Sequence, residues 1–312
     1  MSSFISNFKM MKEFLVKVLL FTFLSLGIYF VISLYILPEQ IAKEQGPSTG
    51  QQIDKSFQKV KEIPFDLVIL GNSGTYRGIN PTVLEIPAFN FSHDNDSYNQ
   101  IYYKIIWMEE HDIDFNYLVL GVDYFQFNVL SATRNYIYNS YLNDDYKKDY
   151  PESNAYTLFL DRTMILDVNR MKYLQNLFSS SSSPRFQRDN GQYLNPHQAT
   201  KDDKAKYSIK RLPFQEKYFK LILEYCKKHE IEVFLTMMPA RKNALVNYER
   251  KDIIEFNTFI KSFSNSDVHF VNYSEQKGWT LDDYTDVTHL NEAAANRFTK
   301  QLNDTISDIL KH

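Results

Sequence analysis

Two hydrophobic periods alternate along most of this chain. Short apolar runs bounded by Gly, Pro or polar residues read as buried strands. They cover residues 65–70, 88–92, 117–122, 231–238 and 268–273. Between them lie stretches whose apolar residues recur at helical spacing: 97–111, 213–229, 252–263 and 291–310. Pro213 suits the first position of its helix, where a missing N–H costs nothing. In the last helix, Ala293, Ala294, Phe298, Leu302 and Ile306 fall on one stripe. Strands alternating with helices predict a parallel sheet covered on both faces. With right-handed crossovers this is an α/β, flavodoxin-like or Rossmann-like layer sandwich.

Two regions depart from that rhythm. Residues 18–37 carry no charge at all, and Pro38 ends the run. A bilayer core takes about 20 apolar residues as a helix. Lys9, Lys12 and Lys17 precede the run against one acid, Glu13. The positive-inside rule then puts the N-terminus (residues 1–17) in the cytoplasm and everything beyond about residue 40 outside. A cleaved signal peptide is the rival reading, but its apolar region is shorter, roughly 7–15 residues, and ends at small residues. Here Leu37-Pro38-Glu39-Gln40 follows, so the run reads as an uncleaved single-pass anchor in the cell membrane. Residues 38–62 read as a polar stalk, with Gly46, Pro47, Ser48 and Gly50 breaking any long helix. A domain over 63–312 follows. Within it, residues 128–212 read as an insertion: a Tyr-rich stretch, a helical-looking segment at 155–178, then five serines. It fits a packed cap, or a lid or docking platform.

Composition narrows the class. Of 312 residues, 44% are hydrophobic and 23% charged, enough for a sizeable core and too apolar for disorder. A net charge of −3 leaves no footprint for nucleic acid. The single cysteine, Cys226, excludes an intrachain disulfide or a multi-cysteine zinc site. His93 lies near the predicted carboxyl edge of the sheet without a metal-ligand spacing, and no metal is expected. Three of only nine glycines fall between Gly71 and Gly78, which predicts a special backbone there.

Ligands of open α/β sheets bind beyond the carboxyl ends of the strands. Two segments converge on that edge. Ser73 directly follows the first strand, flanked by Gly71 and Gly74. It reads either as a helix N-cap or as a nucleophile at a helix N-terminus, where N–H groups stabilise a developing anion. Asp286 stands three residues before His289, just ahead of the last helix. The pair reads either as a capping residue beside a surface histidine or as an orienter and base toward a serine hydroxyl.

Together these segments resemble a family. Val68 to Ser73, followed by Arg77-Gly78-Ile79-Asn80-Pro81, resembles the first block of the SGNH/GDSL hydrolase superfamily. Asp286-Val287-Thr288-His289-Leu290-Asn291 resembles its last block. The likeness is greatest to the membrane-anchored branch linked to O-acylation of bacterial cell-surface polysaccharides, with the layout of its lipoteichoic-acid D-alanylation members. It spans about residues 64–127 and 213–310. It implies Ser73 as nucleophile, His289 as general base and Asp286 as its orienter, with no cofactor. It also implies a cell-surface glycan as substrate and a membrane-bound O-acyltransferase as partner. Two positions depart from the pattern. The second block's glycine is missing, and Asn95 is the best match, since Asn tolerates the left-handed conformation. The third block's asparagine is Asp123, which cannot donate a hydrogen bond when ionised. Either the oxyanion hole is incomplete, or Asp123 has another role such as binding Arg77. Gly74 and Arg77 complete the residues expected to line the site. A non-catalytic assembly or glycan-binding factor is the alternative function.

Overall fold

The computed structural model describes residues 2–36, 48–128, 134–149, 186–195, 199 and 208–311. Two compact units divide the chain: residues 1–46 with 155–182, and residues 47–154 with 183–312. The helical segment expected at 155–178, and the serine run with it, lie outside the described residues. So does His197.

In the first unit, α1 (Ser2–Val31) carries its charged residues up to Lys17 and has none beyond it. Its stretch Met10–Ile36, 27 residues, is long and apolar enough to cross a bilayer. Phe21 and Phe23 are more than 70% exposed, as a lipid-facing helix requires.

The second unit holds a parallel sheet. Its strands are β1 (Leu67–Leu70), β2 (Ala88–Asn90), β3 (Tyr117–Gly121), β6 (Glu232–Met237) and β7 (Val268–Asn272). Their spatial order is β2-β1-β3-β6-β7, all parallel. This is the doubly wound order expected of a flavodoxin-like fold, with its switch point between β1 and β3. Strand side chains alternate between faces. Leu67, Ile69, Val119 and Phe234 share one core cluster with Phe298, Leu302 and Ile306 of the C-terminal helix α10 (Glu292–Leu310). Ala294, Phe298, Leu302 and Ile306 of the expected stripe are buried; Ala293 is exposed and Ala295 is buried instead. The opposite face is aromatic: Tyr98 of α4 (Tyr98–Glu109) meets Phe127 and Phe219, the latter on α7 (Pro213–Lys228).

The expected stalk is corrected over its second half. Residues Thr49–Glu62 form a helix, α2, that belongs to the folded unit. Ser48 does not break it but starts it: Ser48 and Gln51 make a reciprocal capping box. Its buried face carries Ile53, Phe57 and Val60. Phe57 stacks on Tyr141 with ring centroids 4.1 Å apart and meets Trp107 edge-on at 4.7 Å. Gly50 in the first turn is compatible with the cap, and amphipathic spacing decides the rest.

The described parts of the insertion pack on this unit. They comprise α5 (Asn135–Tyr138), α6 (Asp144–Asp149) and a small hairpin of β4 (Phe186–Gln187) with β5 (Tyr193–Leu194). Tyr138 and Tyr146 are fully buried. Gly191 turns the hairpin at φ +93, and a side chain there would collide with the backbone of Asn90.

Candidate active site

The site begins where β1 stops. Asn72 caps the short helix α3 (Ser73–Gly78), its Oδ1 accepting the Gly74 N–H at 2.9 Å. The N-cap role that a serine could have taken therefore falls to Asn72. Ser73 becomes the first helical residue, and its own N–H has no acceptor within the helix. The glycine cluster has a different cause from the one expected. None of these glycines is in the left-handed region; among the described residues the glycines that are, are Gly191 and Gly278. Close approach is what demands them. A Cβ on Gly71 would lie 2.4 Å from Thr75 Oγ1, and one on Gly121 would lie 2.5 Å from Thr75 Cγ2. The two glycines let α3 seat against the ends of β1 and β3.

The tertiary fold brings Ser73 and His289 together across 216 residues of sequence. Ser73 Oγ lies 2.7 Å from His289 Nε2. His289 Nδ1 lies 2.7 and 2.8 Å from the two oxygens of Asp286. A proton on Nδ1 facing that carboxylate leaves Nε2 bare to accept the serine hydroxyl, which fixes the tautomer. Asp286 also accepts the backbone N–H groups of Thr288 and His289 at 3.0 Å each. It is thus both the turn's cap and the imidazole's partner. Burial alone would raise its pKa. The hydrogen bonds and charge of His289 and the two N–H groups outweigh burial and hold the carboxyl well below the usual carboxylate range.

Arg77, from the far end of α3, closes the back of this arrangement. Its Nη1 is 3.2 Å from His289 Nδ1 and 3.5 Å from Asp286, and its Nη2 donates to Asp94 at 2.8 Å. Tyr193 of the hairpin lies under the guanidinium at 5.5 Å. Asp94, Arg77 and Asp286 carry one net negative formal charge, which a proton on His289 would neutralise. Asp94 and Tyr193 are absent from the residues expected from sequence. No motif marks them, because they reach the site through Arg77.

Arg77 is not the partner of Asp123, and that expectation is corrected. Asp123 Oδ2 accepts from the side-chain amide of Asn72, and its Oδ1 accepts the N–H groups of Phe125 and Gln126 at 2.8 and 2.6 Å. Both oxygens are used as acceptors, so Asp123 offers the site no donor. Burial raises its pKa, and the bond from Asn72 opposes that rise. Its observed role is to tie the β3 loop to the residue before Ser73. An Asn–Asp pair joins the two segments, with the asparagine on the β1 side. Asn95 adopts φ +58, the left-handed conformation expected of a residue in a glycine's place. It is exposed on the wall that also carries Ser73 and Gly74.

His93 does not line the site. It is 1% exposed, packed beneath the Asn95 loop. Its Nε2 lies 3.0 Å from Ser56 Oγ, and its Nδ1 accepts from Lys104 Nζ at 2.7 Å. Lys104, fully buried, also donates to Asp96 at 2.5 Å and to the Phe91 carbonyl at 2.8 Å. Tyr138 donates to Asp96 as well. Burial and the Lys104 charge push the His93 pKa well down, so this imidazole is neutral. Burial lowers Lys104 to about 8 against the pull of Asp96.

A pocket of about 370 Å³ opens beside Ser73. The loop after β6 and the short helix α8 (Lys242–Leu245) form its far wall. The residues around it are mostly apolar, among them Met237, Met238, Pro239, Leu245 and Tyr248.

No family model matches the chain, and no curated protein matches it. Among solved structures it is similar to a protein of Bacteroides fragilis NCTC 9343 assigned as an acylhydrolase, at 11% identity and TM-score 0.41. That alignment covers 81% of this chain and 94% of the other. It is also similar to a family two carbohydrate esterase from Clostridium thermocellum solved with cellohexaose, at 9% identity and TM-score 0.37, over 80% of this chain and 65% of that one. Sequence motifs and parallel sheet alike resemble the SGNH/GDSL superfamily. At these identities the chemistry rests on the distances around Ser73.

Proposed function

We propose that this protein is a serine esterase or O-acyltransferase that works through an acyl-Ser73 intermediate on a cell-surface polysaccharide. One observation carries the proposal: Ser73 Oγ, His289 and Asp286 lie in a continuous chain of 2.7 Å contacts. That chain moves a proton in a defined direction. Ser73 Oγ attacks the acyl carbonyl carbon while its proton passes to His289 Nε2. Asp286 holds the resulting imidazolium. In this reading the N–H groups of Ser73 and Asn95 are the donors to the oxyanion. Collapse expels the donor's alkoxide, which takes the Nε2 proton. An acceptor hydroxyl then gives its proton to Nε2 and attacks the acyl-serine, which releases Ser73 and the new ester. If the acceptor is a sugar the reaction is transfer; if it is water, hydrolysis. The apolar N-terminal helix supports transfer, because an anchor would keep the domain beside a membrane-bound O-acyltransferase partner. Lys9, Lys12 and Lys17 support an outward-facing domain.

The test is the acyl content of surface glycan in cells carrying Ser73→Ala at matched protein level, beside small-ester hydrolysis by the full chain in detergent. Both should be lost. Full acylation with Ser73→Ala would reject the catalytic reading and leave an assembly or glycan-binding role. Lost acylation, with a wild-type chain that hydrolyses no ester alone, would identify a transferase that needs its partner. A C-terminal tag on intact, wall-stripped cells should be accessible to protease; its protection would overturn the orientation.

A further inference from the structure

We propose that the pocket beside Ser73 is an acyl-chain site, and that the group carried is a medium-length aliphatic acyl chain rather than acetyl. This rests on the esterase reading of Ser73. Three observations support it.

The first is size. The pocket holds about 370 Å³. Three heavy atoms of an acetyl group fill on the order of 90 Å³, even at the roughly 30 Å³ that a water takes in the liquid. Room remains for several more carbons. An enzyme for acetyl alone gains nothing from that space, since an unfilled apolar cavity forfeits contacts.

The second is chemistry. Met237, Met238, Pro239, Ala244 and Leu245 offer methyl, methylene and thioether groups. A sugar ring placed among them would leave hydroxyls without partners, which costs free energy for each; Asn247 and Ser274 also line the pocket, and Ser274 Oγ already donates to Asn272 Oδ1 at 2.8 Å. Arg241, a charged side chain among the described residues of this wall, already has a structural task. It is 4% exposed, its Nη2 donates to the Val287 carbonyl at 2.8 Å, and it lies over the Tyr284 ring at 5.1 Å. It ties the β6 loop to the loop that carries His289.

The third is position. Met238 packs beneath α3, its methyl filling the space above Gly78, where a Cβ would come within 2.3 Å of it. The apolar wall is therefore continuous with the helix that presents Ser73. The triad side, by contrast, is polar: Asp286, Thr288 and Arg77. An ester seated with its carbonyl at Ser73 and its chain toward Leu245 leaves its alcohol portion on the polar, open side, where a sugar hydroxyl can arrive.

The experiment uses the full chain in detergent with p-nitrophenyl acetate, butyrate, hexanoate and octanoate, with the Ser73→Ala rate subtracted at each length. Each buried methylene should raise kcat/KM a few-fold, roughly fourfold at full burial. The hexanoate-to-acetate ratio should be at least ten. Ala244→Trp, which fills the pocket from a half-buried position on α8, should cut that ratio tenfold or more. Leu245→Ala should move the optimum to a longer chain. Acetate as the best substrate, with a ratio unchanged in both variants, would overturn the acyl site while leaving the esterase reading intact. If no ester is turned over, the esterase reading is in doubt, and the site is read by binding instead. Hexanamide, but not acetamide, should raise the melting temperature of the Ser73→Ala chain, and Ala244→Trp should abolish the rise. Equal or absent shifts for the two amides would overturn the site by this route.

Discussion

The second unit holds two histidines in nearly the same company, and they are set to opposite uses. His289 has a serine at Nε2 (Ser73, 2.7 Å), and His93 has a serine at Nε2 (Ser56, 3.0 Å). Each cluster also contains an aspartate and a cation: Asp286 with Arg77, Asp96 with Lys104. The difference lies at Nδ1. For His289 that nitrogen meets both oxygens of the Asp286 carboxylate at 2.7 and 2.8 Å, with the Arg77 guanidinium farther off at 3.2 Å. For His93 it faces an ammonium, which forbids the imidazolium. The surroundings reinforce the contrast. Asp286 is partly exposed and His289 lines a pocket, whereas Lys104 and Asp96 are sealed from water. A Ser–His–Asp inventory is therefore not a catalytic device; the order of contacts around the ring decides. The sealed cluster has its own effect, since it anchors both ends of the loop that presents Asn95. Asp96 accepts the His93 N–H at 3.0 Å, and the Asp96 carbonyl accepts from Gln126 at 3.1 Å.

Substitutions at matched positions sharpen this contrast. Ser73→Ala should lower kcat/KM for a small ester by three orders of magnitude or more, with the urea midpoint nearly unchanged. His289→Ala should be similar, and the double variant no worse than either, because the pair acts as one unit. Additive losses would break the triad reading.

Lys104→Met should act in the opposite column. It leaves the Asp96 carboxylate buried without its ion, at a cost of about 3–5 kcal/mol in unfolding free energy. Adding Asp96→Asn should recover part of that loss, as measured by denaturant titration. A midpoint unmoved by Lys104→Met would mean that the sealed ion pair does not hold the loop.

Asn95 tests the link between the two clusters. Asn95→Gly keeps the left-handed backbone and should retain activity. Asn95→Val should cost about 1–2 kcal/mol of stability, because a branched side chain resists positive φ. Its loss of kcat should exceed any change in KM. Equal activities for the two variants would remove Asn95 from the oxyanion wall.

The smallest effects concern pH and Ser56. Asp286 has its folded pKa held below the ordinary value near 3.9. Its contribution to stability is therefore complete above that value and is lost only as pH falls through the lower, folded one. Asp286 should thus add no protonation step to the acid limb of kcat/KM above about pH 4; a slope of two there would mean that Asp286 also titrates. Ser56→Ala should cost about 1 kcal/mol of stability and leave the kinetics untouched.

The parallel sheet was legible because buried strands of Leu, Val and Ile stand out between turn residues, and because right-handed crossovers leave few topologies open. Ser73, Asp286 and His289 were legible because strand ends and helix starts are marked locally by Gly, Asn and Asp. The apolar N-terminal run needed only length and charge. Helix α2 was misread because Gly46, Pro47, Ser48 and Gly50 carry breaker chemistry, while its helical stripe of Ile53, Phe57 and Val60 acquires meaning only against Trp107 and Tyr141. The partners of Arg77 and Asp123 were out of reach for a similar reason. A guanidinium can meet any carboxylate, and Asp94, Asp286 and Asp123 are alike in sequence; only the fold sets which is within 3 Å. The same holds for the two histidines. Composition supplies imidazoles, carboxylates and cations, but protonation depends on distance and burial, and these exist only once residues 216 positions apart are packed together.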